Sequence, residues 1–549
     1  MNDRRSLELS VPRRENGKLS FCDDSLAGIE QWASAVSMSD SEAAAETLLA
    51  AIEELNRLEM ASGRRFHAME TLRPLVHFVC SAIAGNRSRS GRARDGEQGR
   101  RQARLAQTLQ VELATGYKIV IAEGLRTGTD FHAGTTRTSA GGRIIVAIHR
   151  NISELSHALL RCLQQYTPAP RRLWAQLHQL YYLAESKGVD DATVRDPENQ
   201  LRERTSITDA YARALMLGSA RANTLRPHML GTLFNVLEDW SSLVRLVPDV
   251  SYHGGTVVVD LTSDEPPKTY ALYQSHDDED LRCLDASALL TPLNNYLADD
   301  ASDVGARPAL LEATNDDLVR HAVRAWGAVT KRAYKRMPVD GSVAVCAGMR
   351  ALHAQITMDR DRRRSRRALQ DDPALFSLRL VDASPGGYGM TFEGEGPEDL
   401  QTGELLGVRE PGSSEWHVAV LRWFWNGADG ARLGIELLAP RAEAAEARVL
   451  TTRGSHSDWA EALVLPEVSA LSQPPLLITP RGPFRVAQKL ALRRDGEEAR
   501  VRLQAARPLT DSFQMFELKE LAGAGGLPVT GIEVDYIDAG DDELEQFDF

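Results

Sequence analysis

Two short groups of residues in the C-terminal half of the chain carry the chemistry. Arg332-Ala-Tyr-Lys-Arg336 sets two guanidinium forks four residues apart, and Asp382-Ala-Ser384-Pro-Gly386-Gly387 places a carboxylate, a hydroxyl and a glycine pair in one short segment. A guanidinium pairs with phosphate oxygens or with the O6 and N7 edge of guanine. A carboxylate accepts from the other guanine edge, where N1–H and the exocyclic amine donate. The serine hydroxyl completes a tight turn, and glycine lets the backbone approach closely or take φ > 0. These groups suit a ligand made of phosphates and guanines.

The flanking residues predict the elements that position them. Val339, Gly341, Val343 and Val345 alternate, as in a half-buried strand directly after Arg336. Phe376, Leu378 and Leu380 alternate up to Asp382. Trp416 to Trp425 and Leu433 to Leu438 are two further strands, joined through Asn426-Gly427. Upstream, Asn315–Arg332 is expected as one helix, with Leu318, Ala322, Ala325 and Val329 on one face, running straight into the first arginine.

The N-terminal half has helical periodicity. Ser39 and Glu42 have capping-box spacing, followed by Ala45, Leu48, Leu49, Ile52, Leu55 and Leu58. Phe66 to Ile83 continue the pattern, with Pro74 expected as a kink, and helical segments resume from Leu105 to about Val247. Asn86–Arg104, rich in Arg, Ser and Gly, reads as a basic loop. His253–Asp260 and Tyr270–Tyr273 read as strands. Met358–Arg367, followed by Gln370-Asp-Asp-Pro373, is a charged insertion expected as a solvated loop. Pro466–Pro480 resembles a linker with extended pieces, and Pro483–Leu518 alternates as β-structure.

Composition limits the function classes. With 549 residues, 43% hydrophobic and 26% charged, the chain is globular and multidomain. A net charge of −13 argues against duplex DNA or an anionic membrane as a partner of the whole molecule. Five cysteines lie far apart without a C-x-x-C pair, and the histidines are scattered without a ligand-spaced set, so no metal site and no disulfide framework is expected. No apolar run is long enough to span a membrane, and the N-terminus lacks a signal-peptide core. No G-x-S-x-G elbow is present, Ser384 has no base near it in sequence, and no catalytic residue or cofactor is assigned.

In order as well as in motifs, Arg332 to Pro440 resembles the PilZ domain, a small β-barrel that binds cyclic di-GMP. The resemblance rests on the arginine pair, two strands, D-x-S-x-x-G, and two hairpin strands ending in Arg432-Leu-Gly-Ile-Glu-Leu-Leu438. It implies that Arg332 and Arg336 contact ligand phosphates and guanine, that Asp382 and Ser384 hold a guanine edge, and that Gly387 makes the turn. The helical part, including Glu54-Leu-Asn-Arg-Leu58 and Leu72-Arg-Pro-Leu75, resembles long PilZ proteins linked to type IV pili and surface motility. The expectation is therefore a multidomain α+β protein: a flexible N-terminus (1–24), an all-α region (25–250), a mixed segment ending in a connecting helix (251–329), a six-stranded PilZ barrel (330–440), a β-rich C-terminal domain (466–520) and an acidic tail (521–549). Its expected role is that of a cytoplasmic, non-enzymatic receptor. It would couple cyclic di-GMP to an unidentified protein partner by closing Arg332–Arg336 against Asp382–Gly387 and swinging the preceding helix.

Rival readings use the same residues. Arg363 and Arg367 also fit R-x-x-x-R, although choosing them leaves room for one strand only before Asp382. A scaffold that binds no nucleotide is the alternative if the two motifs sit on opposite walls or if internal ion pairs lock the guanidinium groups. RNA binding through Arg87–Arg104 or Arg360–Arg367 is a third reading, weakened by the acidic balance and the lack of interleaved aromatics. Trp423, Phe424 and Trp425 are expected to alternate in and out of the barrel, more as core than as a stacking surface for ligand.

Overall fold

The structure is a computed structural model that describes residues 9–89, 97–136, 138–248, 257–270, 280–298, 309–327, 335–365, 375–392, 400–451, 456–467, 474–507, 510 and 512–521. Two compact units divide the chain, Met1–Lys331 and Arg332–Phe549.

In the first unit the helices are α1 (Leu26–Ala35), α2 (Ser41–Arg57), α3 (Ser62–Arg89), α4 (Glu97–Arg126), α5 (Ala140–Gln164), α6 (Leu173–Ser186), α7 (Ile207–Ser219), α8 (Pro227–Trp240), α9 (Ser287–Ala298) and α10 (Asp316–Trp326). A short hairpin, β1 (Thr193–Arg195) and β2 (Arg204–Ser206), interrupts them. A small sheet comes next, of β3 (Arg245–Val247), β4 (Val257–Asp260), β5 (Lys268–Thr269) and β6 (Leu281–Asp285), in the order β3-β6-β4-β5. One hydrophobic core runs through the helices and takes in Val257, Val259 and Leu284 of the sheet, from Leu19 to Trp326, while Val258, Leu281 and Cys283 form a separate small cluster.

Several sequence expectations are corrected here. Asp40, rather than Ser39, caps α2, accepting from the Glu42 and Ala43 amides. Residues 9–24, expected as part of a flexible terminus, bury Leu19 and form a parallel bridge between Asn16 and Leu58. The expected basic loop 86–104 is helical at both ends: α3 runs to Arg89 through Pro74, and α4 begins at Glu97. Arginine favours helix, Gly99, Ala103 and Ala106 are buried, and Arg101 donates to Glu46. The helix expected to reach Arg332 ends at Trp326, where Gly327 leaves the helix in an extended conformation.

A buried ionic network crosses the helices. Arg73 donates to Glu154 (2.7 Å) and to both Asp196 oxygens, while Arg150 pairs with Asp196 (3.1 Å) and Glu70 (3.1 Å). Tyr117 donates to Glu70, and His77 meets Glu154 at 2.8 Å. Asp196 follows β1, so the network anchors the hairpin to α3 and α5. Removing one member of such a set leaves an uncompensated buried charge, a loss of about 3–5 kcal/mol.

The second unit holds two barrels and a helix. The first barrel is built from β8 (Ser342–Ala347), β9 (Leu375–Ser384), β10 (Gly387–Thr391), β11 (Leu405–Arg409), β12 (His417–Gly427) and β13 (Gly430–Ala439), closed by pairing of β9 with β10. The two-residue β7 (Met337–Pro338) pairs with the end of β9. The second barrel is closed in the order β14-β15-β16-β19-β18-β17, from β14 (Glu443–Val449), β15 (Ala460–Leu465), β16 (Leu476–Pro480), β17 (Lys489–Arg494), β18 (Glu497–Ala506) and β19 (Phe513–Glu520). It therefore starts about 20 residues before the expected 466, and the expected linker contains β16. A second cluster joins the barrels, with Trp416, Val418 and Val420 packed among Leu463, Ile478 and Phe513.

The charged insertion is helical as well. α11 (Met349–Ser365) buries Leu352 and Gln355. Its Asp359 accepts from Arg409 (2.8 Å) and from Trp416 Nε1 (2.8 Å), and Arg360 pairs with Asp495 of the second barrel (2.6 Å). Periodic anchoring at its start carries the arginines along as a helix. Residues 366–374, including Arg367, lie outside the described residues.

The helical unit should unfold in acid. Burial holds the His149 imidazole neutral and lowers it to about 3. Burial would raise Glu154, but His77 and Arg73 override it and bring the carboxyl to about 2. In both cases the unfolded chain binds more protons below the ordinary values of 6.5 and 4.5, so stability falls as pH drops through these windows. Thermal melts followed by helical circular dichroism should show a falling melting temperature from pH 6.5 to 3. A flat profile over that range would contradict the assignment.

Candidate functional site

Strict alternation would defeat the D-x-S motif. Phe376 and Leu378 pair across β8 with Val345 and Val343, both buried in the barrel, so residues 380, 382 and 384 should follow them inward. They do not. In the β9–β10 ladder Leu380 opposes Met390 while Asp382 opposes Gly389, leaving Val381 without a β10 partner. This bulge reverses the facing of the last residues of β9. Met390 is buried inside, whereas Asp382 and Ser384 turn to the outer surface.

A second register shift lies in β12. Leu421 opposes Ile435 and Trp423 opposes Gly434, leaving Arg422 over. Leu421 and Phe424 are buried, and Trp423 turns outward between them. Trp423, Phe424 and Trp425 alternate as expected, but the expectation that the tryptophans serve as core is corrected: Phe424 is the core member, and Trp423 and Trp425 turn outward opposite Gly434 and Arg432. The two bulges align one outward row across five strands: Pro338, Asp382, Gly389, Gly434 and Trp423.

Glycines shape that row into a shelf. A Cβ on Gly389 would lie 2.6 Å from Asp382 Oδ1, and one on Gly434 would overlap the Trp423 indole. The carboxylate and the indole thus lie flat over the two glycines. Gly387 has a separate task. Any Cβ there would strike the backbone carbonyl of Ile435, so it permits the close approach that closes the barrel. Ser384 Oγ donates to the Gly387 carbonyl at 3.3 Å across the hairpin turn.

Arg336 lies beside this row. Its Nη1 donates to Asp382 Oδ1, and both side chains remain partly exposed, at 28% and 31%. The structure therefore brings together Arg336, Asp382, Ser384 and Gly387. Arg332 lies outside the described residues. The next outward row holds Arg379, Thr391 and Arg432, which oppose one another across β9, β10 and β13, with both arginines exposed. The sequence pattern gives none of these, nor Gly389 and Gly434, a site role, although Arg432 and Gly434 lie in the hairpin strand that carries the resemblance, because nothing in the local pattern announces a bulge. The glycine at 389, two residues beyond the motif, was the available signal. Arg422 pairs with Glu436 at 2.6 Å.

Comparison with known proteins matches this architecture piece by piece. The family model "Cyclic-di-GMP receptor FimW, N-terminal domain" matches residues 27–249. The FimW middle PilZ domain matches 256–361 and 354–444, and the FimW C-terminal β-barrel domain matches 445–521. The chain belongs to the FimW family. It is 30% identical to the cyclic-di-GMP receptor FimW of Pseudomonas aeruginosa over 577 aligned positions, covering 93% of each chain. No solved structure matches the chain significantly. The family's middle domain begins at 256 and so takes in β4–β6, α9 and α10, of which Val257, Val259, Leu284, Leu289, Leu318 and Trp326 belong to the core of the helical unit.

Substitution at the glycines separates fold from site. Gly387→Ala forces the backbone of β13 away and should lower the melting temperature of the intact chain. Gly389→Ala displaces the Asp382 carboxylate and should leave the melting temperature closer to wild type while breaking the Arg336–Asp382 pair, read by guanidinium NMR. Equal melting temperatures for wild type and Gly387→Ala would contradict the packing described.

Proposed function

We propose that this chain is a cyclic di-GMP receptor whose ligand sits on the outer face of the first barrel, held by Arg332, Arg336, Asp382, Ser384 and the Gly387 turn. The observation that carries this reading is the outward row made by the two bulges. It sets a guanine-edge acceptor, Asp382, beside an arginine fork and a glycine-floored shelf ending in an indole. A purine plane laid on Gly389 and Gly434 would find Asp382 at its edge and Trp423 at its face. Arg379 and Arg432 add positive charge for phosphate one row away. The family relationship, with a relative named as a cyclic-di-GMP receptor, supports the same ligand.

The ion pair of Arg336 with Asp382 favours the scaffold alternative only if it is tight. A pair exposed by about a third is worth roughly 0–1 kcal/mol. A bidentate guanine contact is worth about 1–3 kcal/mol. The ligand therefore outcompetes the internal pair, which serves to hold the fork near the acceptor until the ligand arrives. Ligand binding would then be passed to a protein partner, in type IV pilus or surface motility control. The segment 328–334 between α10 and Arg336 lies outside the described residues, so no continuous helix is assigned to this relay.

Titration calorimetry tests the assignment. Arg332→Ala, Arg336→Ala and Asp382→Ala should each weaken cyclic di-GMP binding by about 1–3 kcal/mol or more, and Trp423 emission should change on binding. Unchanged affinity in all three variants would reject the site and leave the receptor function standing. No binding by the wild-type chain would reject the receptor reading and favour a scaffold whose partner capture ignores the nucleotide.

A further inference from the structure

The outer face of the second barrel carries an uncompensated charge pattern. Lys489 on β17, Arg502 on β18 and Lys519 on β19 oppose one another directly, forming a three-strand row of cations. Directly opposed like charges destabilise a sheet. The adjacent outward row contains Arg448, Ala491 and Arg500. Lys489, Arg500, Arg502 and Lys519 are all exposed, and among the described residues no carboxylate pairs with them. On the same barrel Arg493 pairs with Glu446, Arg494 with Glu443 and Arg507 with Glu517, and Arg448 of the adjacent row pairs with Glu498. The row of Lys489, Arg502 and Lys519 lacks such partners among the described residues.

The chain supplies the missing charge. Beyond Leu521, residues 522–549 contain eight carboxylates (Glu533, Asp535, Asp538, Asp541, Asp542, Glu543, Glu545 and Asp548) and no Lys or Arg. Leu521 donates its amide to the Arg500 carbonyl, so the tail departs from the edge of the basic face. Glu533 is the twelfth residue after Leu521. That length spans up to ~40 Å, against roughly 10 Å for the width of three paired strands.

We propose that the acidic C-terminal segment of the same molecule docks on this basic face of the second barrel, with Lys489, Arg500, Arg502 and Lys519 as its partners. Tethering sets its local concentration on the order of millimolar, so many weak contacts suffice. Docking would cover the face against other anionic partners, nucleic acid included, and would weaken as salt rises. This inference is independent of the nucleotide site on the first barrel.

Carbodiimide coupling of the full-length chain at low salt, followed by peptide mass spectrometry, tests it. Lys489 and Lys519 should become joined to carboxylates of 533–548 within one molecule. The links should disappear at high salt and in a variant with all eight tail carboxylates neutralised (Glu533→Gln, Asp535→Asn, Asp538→Asn, Asp541→Asn, Asp542→Asn, Glu543→Gln, Glu545→Gln and Asp548→Asn). The Lys268–Glu265 pair, at 2.6 Å, serves as the coupling control. The same variant should bind a fluorescent single-stranded oligonucleotide about tenfold more tightly than wild type. The proposal is overturned if the control couples and the tail links are missing. Links found only between isotope-distinguished copies, or equal oligonucleotide affinity in the two proteins, overturn it too. A double variant, Arg502→Glu with Lys519→Glu, should lose the Lys489 links as well; if it fails to fold, the tail variant still decides.

Discussion

Side chains on a β-strand alternate between core and solvent, and a barrel enforces that rule because every inward residue must be apolar and packed. On β9 the rule would send Asp382 and Ser384 inside, behind Leu378, where a carboxylate has no counter-charge and the ligand has no access. One residue without a β10 partner, Val381, reverses the facing. A matching slip at Arg422 brings Trp423 out beside them. Everything the outer surface can recognise depends on these two slips occurring at neighbouring positions of the barrel. Glycines at 389 and 434 then leave room for the side chains that the bulges have turned outward.

The resting state of the site is set by ordinary electrostatics. A lone arginine fork beside a carboxylate pairs with it, and partial exposure keeps that pair weak. The arrangement holds Asp382 and Arg336 within reach of a common ligand. The helical unit shows the opposite case. There Arg73, Glu154 and Asp196 are fully desolvated and share a network that ties a hairpin to helices, and such charges resist exchange. Burial separates a structural ion pair from one that a ligand can displace.

Four strands of the first barrel, β8, β9, β12 and β13, were legible from alternation, and the D-x-S-x-x-G turn from residue type, because both signals are local; the short, glycine-containing β10 and β11 were not. The bulges were not legible, since a bulge is a relation between two strands and changes no periodicity before it. Arginine-rich stretches misled in a consistent direction. Asn86–Arg104 and Met358–Arg367 look like solvated loops by polarity, yet Ala103 and Ala106 in one case and Leu352 in the other anchor a helix that arginine readily extends. The second barrel was placed too late, because Ala444, Ala445 and Ala447 on β14 are small and give little apolar contrast, although they are buried against neighbouring strands.

If the bulge at Val381 creates the binding surface, the nucleotide must lie on the outer row of the first barrel. A crystal structure of the full chain with cyclic di-GMP decides this. The expected result is a guanine over Gly389 and Gly434 with its N1–H and amine edge on Asp382 and the Arg336 fork on the ligand. A ligand bound elsewhere, with Arg336 still closed on Asp382 and the glycine shelf bare, would contradict it.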